Sequence, residues 1–174
     1  MQMNESSFSP EQLKKSGDAF AGFLTTLVYS WGYVPEAILH RRLGHAYVDS
    51  HAPLAFLVMS AYAFLWEGYD LRPHFGLIVV FALFNATHRM GCMMRRWRGE
   101  LLHSRYTGWP RLMWLMPRMD EQRFKRWVEP VIVIAVGAAT CPLDVPVGIF
   151  VIVSGILLAA KNGNDWDREY QRIV

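Results

Sequence analysis

The chain has 174 residues and a formal net charge of +3; 52% of its residues are hydrophobic and 19% charged, against about 45–50% and ~25% in soluble domains. An aromatic content of 14% excludes a disordered chain, which carries too little apolar surface to fold. Two cysteines, Cys92 and Cys141, exclude a disulfide-rich scaffold, and the length fits one domain. The apolar excess points to an all-α integral membrane protein.

Residues 1–18 are polar, with Ser7, Ser9, Pro10 and Glu11 giving a helix start. They lack a basic stretch followed at once by an apolar run, so delivery is expected to rely on an internal apolar segment acting as an uncleaved anchor. Residues 19–39 are apolar but carry Gly22, Gly32 and Pro35. They form a membrane-associated helix that either spans or lies in the interface, with Tyr29, Trp31 and Tyr33 at headgroup level. A polar, histidine-rich linker follows over 40–53.

Residues 53–94 read as a first helical hairpin turned by EGYDLRP at 67–73. Its second arm reaches Met94 only if His88 and Arg89 are tolerated, and Arg89 sits near enough to a helix end to snorkel. The basic segment 95–129 holds eight arginines and one lysine against four acids, and four of the seven tryptophans. Its end, DEQRFKRWVE, reads as a short amphipathic helix capped by Asp120, with Glu121 four residues before Lys125.

Residues 130–160 form a second hairpin, because Pro142 and Pro146 break the apolar run around Asp144. Its arms are short, about 17 Å of helix before the break, so it either spans or re-enters. A polar tail occupies 161–174. Arg41, Arg42 and the 95–129 segment place the linkers on the cytoplasmic side, and the turns at 67–73 and Asp144 outside. Cys92 and Cys141 then lie at opposite levels and do not pair.

Each cluster of polar residues has a functional and an ordinary reading. His40, His45, Asp49 and His51 have ligand-compatible spacing, but without an HExxH or CxxC pattern they read as a solvated interfacial loop, and no metal is assigned. Glu67, Asp70, Arg72 and His74 offer acid–base groups without a nucleophile motif, and read as a polar hairpin tip in which the acids pair with Arg72. His88, Arg89 and Asp144 are pathway candidates, because ionisable groups at membrane depth are costly. His88 has no facing second ligand for haem, so it reads as a polar contact, and Asp144 as a turn residue. Ala135/Ala139 and Gly155/Ala159 permit close helix approach.

The most distinctive residues are Arg95, Arg96, Trp97, Arg98, Arg105, Trp109, Pro110, Trp114 and Trp127. Arginines interleaved with tryptophans suit an anionic leaflet, with charge on lipid phosphate and rings at headgroup depth. Nucleic acid is the weaker reading, since the segment is tethered between membrane hairpins. Within it HSRYTGWP forms a rigid turn, a docking element for another subunit, with Gly108 free in its dihedrals and Pro110 fixed in φ.

At RGELLHSRYTGWPRLMWLMPR running into RWVEPVIVIAVG, residues 95–160 resemble short multi-pass proteins of plasmids and mobile elements found with conjugative or type IV secretion gene sets. The resemblance implies a bacterial inner-membrane location and brings no catalytic residue and no cofactor. The expected function is therefore a non-enzymatic multi-pass subunit that packs with other subunits or with itself and with anionic lipid. The alternatives are a small transporter or channel component using Asp144, His88 or Arg89, and a membrane metal or haem enzyme built on the histidines.

Overall fold

The computed structural model describes residues 10–100 and 107–173, with side chains described over 14–100 and 107–165. It is mostly helical. Helix α1 (Pro10–Leu39) leads into a two-residue strand β1 (His40–Arg41), then α2 (His45–Ala63) and α3 (Arg72–Trp97). Strand β2 (Trp109–Pro110) pairs antiparallel with β1, His40 opposite Pro110 and Arg41 opposite Trp109. A 3-10 turn (Arg111–Leu115) precedes α4 (Glu121–Arg123), a π-helical turn (Phe124–Val128), α5 (Glu129–Thr140) and α6 (Val145–Ile173).

Several boundaries differ from those read in the sequence. Helix α1 starts within the polar N-terminal segment. The 40–53 linker shrinks to residues 40–44, because α2 begins at His45 and runs through Pro53. The polar tail continues α6 rather than leaving it. The amphipathic stretch after Asp120 does not end before the second hairpin. With the π turn it makes one helical run from Glu121 to Thr140, about 30 Å at 1.5 Å per residue.

Pro130 explains the π turn. The Glu129 amide donates to the carbonyl of Phe124, one residue further back than in an α-helix. The next carbonyl, that of Lys125, would need an N–H at residue 130, where proline has none.

The core is a cluster of Tyr33, Val34 and Ala37 on α1, Tyr47, Ala52, Ala55, Met59 and Tyr62 on α2, Phe81 on α3 and Phe150 on α6, with Leu43 beneath them. Trp31 stacks on Phe150 with ring centroids 5.4 Å apart, and its indole N–H donates to Ser154 Oγ at 2.9 Å. Helices α5 and α6 pack backbone to backbone. A Cβ on Gly137 would lie 2.7 Å from the Ile152 nitrogen, one on Gly148 2.6 Å from the Cys141 nitrogen, and one on Gly155 2.7 Å from Ile134 Cγ1. Gly155 thus makes the approach its spacing suggested, whereas Ala135 and Ala139 face outward and Gly137 takes their place.

The two hairpin turns lie at one end of the bundle, where Tyr62 Oη donates to the Pro146 carbonyl at 2.9 Å. The β1–β2 pair, the π turn and Asn162 meet at the other end: Lys125 Nζ donates to the Gly108 carbonyl at 2.6 Å and Asn162 to the Lys125 carbonyl. The basic segments are therefore gathered at one end and the Asp70 and Asp144 turns at the other.

Among the described residues, two helices are long and apolar enough to cross a membrane, Arg72–Trp97 and Val145–Asp165, with mean hydropathy 1.4 and 1.9. A 26-residue helix is about 39 Å long, more than the ~30 Å of a hydrocarbon core. Only 17% of the apolar stretch of α3 is buried in the protein.

Candidate functional site

The end of the bundle that gathers the basic residues is built on two fully buried contacts between a basic side chain and a carboxylate. In the first, Lys161 Nζ on α6 donates to Glu36 Oε2 on α1 at 2.5 Å. The hydroxyl of Tyr47 on α2 donates to the same carboxylate oxygen and accepts from Lys161. Three helices thus meet at one carboxylate. Beside them Tyr29 Oη donates to Asp165 Oδ1 at 3.0 Å.

In the second, His40 Nε2 lies 2.8 and 2.9 Å from the carboxylate oxygens of Glu129, and its Nδ1 donates to the Thr107 carbonyl at 2.6 Å. Both ring nitrogens therefore face acceptor oxygens. Arg111 donates from Nε to the His40 carbonyl at 3.1 Å, with its guanidinium 5.3 Å from the Phe84 ring centroid. Burial, and then the charge of Arg41, pull the Arg111 guanidinium below its ordinary range.

Glu36, Lys161 and Glu129 did not stand out in the sequence, although each sits inside or at the edge of an apolar run. A charge in that position is the available signal, and it becomes decisive once the partner on another helix is known. Conversely, the histidine cluster of the 40–53 linker does not converge. His40 is buried against Glu129 rather than solvated, His51 lies against the Tyr47 ring at 4.6 Å, and His45 and Asp49 line a separate cleft. Among the described residues no group of three metal-ligating side chains is brought together.

The hairpin tip also separates. Asp70 accepts from the Arg72 amide at 3.0 Å and pairs with its exposed side chain. His74 instead turns inward and donates from Nε2 to the Met59 carbonyl. Of the pathway candidates, His88 is buried and donates to the Ala37 carbonyl at 2.7 Å. Arg89 is exposed and pairs with Asp49 at 3.2 Å. Asp144 caps α6, accepting from the Val147 amide at 2.8 Å. Each is satisfied by a different partner.

The basic aromatic segment divides in the same way. Trp97, Trp114 and Trp127 are 79%, 72% and 65% exposed and Trp109 is 45% exposed, whereas Pro110 is buried. Arg98 is exposed, and Arg105 lies outside the described residues. Of the HSRYTGWP turn, expected to dock another subunit, residues 103–106 lie outside the described residues, and Thr107–Pro110 packs on its own chain. A Cβ on Gly108, at φ +84°, would lie 2.8 Å from the Arg41 carbonyl oxygen and 2.9 Å from His40 Cβ. Pro110 belongs to that internal contact and leaves the exposed surface to the tryptophans. Asp120 accepts from the Gln122 amide, and Glu121 pairs with Lys125 at 2.6 Å, as the sequence pattern implies.

A cleft of about 430 Å³ opens between the start of α2 and the end of α3, lined among others by Asp49, Arg89, Cys92, Arg95, Arg96 and Glu100. Cys92 Sγ donates to the Leu43 carbonyl at 3.2 Å and accepts from Arg95 Nη2 at 3.4 Å. Cys141 packs against Gly148 on the second hairpin, so the two free thiols have different surroundings.

Comparison with protein-family models, with curated proteins and with solved structures finds no match.

Proposed function

We propose that the chain is a multi-pass membrane subunit with a structural, non-enzymatic role, held in the bilayer by α3 and the α5–α6 hairpin. One observation carries this reading: α3 is amphipathic in the inverse sense to a helix in water. Its polar residues His74, Asn85 and His88 are buried against the protein. Tyr33 Oη donates to Asn85 Oδ1 at 2.6 Å. Phe75, Val79, Leu83, Met90 and Met94, spaced for one stripe, face away from it. In water that stripe exposes hydrocarbon and hides groups that water would solvate. In lipid both choices lower the free energy, because a polar group must find its partner inside the protein.

The exposed Trp97, Trp114 and Trp127, with the arginines around them, support anchoring at an anionic interface. The gathering of the basic segments at one end supports a cytoplasmic location for that end. Placement in a conjugation or type IV secretion apparatus of a bacterial inner membrane rests on the resemblance of residues 95–160. The satisfied, scattered positions of His88, Arg89 and Asp144 favour a packing subunit over a channel component.

Alkaline carbonate extraction of membranes expressing the chain tests integration, and reporter fusions after Leu71, Arg98 and Asp144 test orientation. The expected result is retention in the membrane, with the Arg98 fusion cytoplasmic and the other two external. Release by carbonate, or an external Arg98 fusion, overturns the reading.

A further inference from the structure

We infer that the cleft between α2 and the end of α3 is a binding site for the phosphate group of an anionic phospholipid. The inference deepens the membrane reading above and rests on it.

The cleft lies where the apolar stripe of α3 ends. Met90, Met93 and Met94 are exposed on the last turns, and Arg95 and Arg96 follow in the final one. Three arginines, Arg89, Arg95 and Arg96, line a space of about 430 Å³. Arg89 is already matched by Asp49 at 3.2 Å. Glu100, the other carboxylate in the lining, is exposed.

Arg95 is the informative residue. It is half-buried, and its Nε is fully shielded yet has no acceptor among the described residues. Its Nη2 has the thiol of Cys92 at 3.4 Å, and sulfur is a weak acceptor. A shielded N–H of a charged group without a partner is costly, and a guanidinium fork is shaped to donate to two oxygens of one phosphate. A headgroup phosphate with its chains along the methionine stripe would meet the Arg95 and Arg96 side chains that line the cleft and leave its hydrocarbon on the exposed face of α3. A free phosphate offers the same oxygens without the chains.

The protein purified in detergent is titrated calorimetrically with a short-chain phosphatidylglycerol, with the phosphatidylcholine of equal chain length, and with inorganic phosphate. Phosphatidylglycerol should bind at least tenfold more tightly than phosphatidylcholine, and inorganic phosphate should bind weakly. Arg95→Gln and the exposed Arg96→Gln should each reduce affinity for phosphatidylglycerol about fivefold. Arg72→Gln, at the far end of α3, should leave it unchanged. Phosphatidylglycerol should also slow alkylation of Cys92, read by mass spectrometry at that residue.

Equal binding of the two lipids, or affinity unmoved by both arginine variants, overturns the site. Inorganic phosphate binding as tightly as phosphatidylglycerol overturns its assignment to lipid. These titrations are independent of carbonate extraction: failure here in a protein that stays in the membrane removes the headgroup site alone, and carbonate release of the wild type removes the membrane reading.

Discussion

The side-chain amide of Asn162 donates to the carbonyl oxygen of Lys125 at 2.7 Å, closing the gap that Pro130 opens in the helical run. Proline at residue 130 has no N–H to offer that carbonyl. An asparagine on α6 replaces the missing donor, and in doing so fixes the register between α6 and the π turn.

This arrangement makes a paired expectation. Asn162→Ala should destabilise the protein by about 0.5–1.5 kcal/mol, the net contribution of one part-buried hydrogen bond. In that background Pro130→Ala should recover part of the loss, because it adds a backbone N–H at residue 130. Thermal unfolding in detergent of the two single variants and the double measures the coupling. Strictly additive effects would show that the two residues act independently.

The Glu36–Lys161 pair is wholly buried, with 1% exposure on each side. Removing either charge leaves the other unpaired, so Glu36→Gln and Lys161→Met should each cost about 3–5 kcal/mol. The double variant should be less damaged than the sum. Both singles are to be compared by unfolding temperature and by the monodisperse fraction on gel filtration, and single variants close to wild type would refute the pairing.

Two glycines with similar backbones should respond differently to alanine. Gly108 and Gly68 have φ of +84° and +88°, so both variants carry the left-handed penalty of about 1 kcal/mol or more. A Cβ on Gly68 meets nothing within 4 Å, whereas on Gly108 it strikes the Arg41 carbonyl and the His40 side chain. Gly108→Ala should therefore be the more destabilised by at least a further ~1 kcal/mol, with the β1–β2 contact displaced. Limited proteolysis after Arg41 and Arg42 should accelerate in that variant and not in Gly68→Ala.

On α6 the same substitution should change sign along one helix. Gly148→Ala drives a methyl group into the backbone of Cys141, while a Cβ on Gly163 meets open space. Gly148→Ala should lower the unfolding temperature, by about 1–3 kcal/mol of stability. Gly163→Ala should raise it by the ~0.5–1 kcal/mol that alanine gains over glycine within a helix.

Residue order alone was enough to find the helical class, the break at Pro142–Pro146, the Asp120 cap and the Glu121–Lys125 pair, because these depend on neighbours within a turn or two. Exposed tryptophans and the segregation of basic charge were also legible, being sums over a segment. What only the tertiary structure decided are the relationships between distant segments: Glu36 with Lys161, His40 with Glu129, Asn162 with Lys125, and Gly108 against Arg41. Each joins a residue that looks unremarkable locally to one tens of positions away. A charge in an apolar run announces that it needs a partner; which partner it finds depends on how the helices cross, and local periodicity carries no record of that angle. The histidines show the same limit from the other side. Four ligand-type residues within twelve positions looked like one cluster, yet the strand at His40 and the helix from His45 turn them toward three different surroundings, because side-chain direction follows the backbone and not the spacing in sequence.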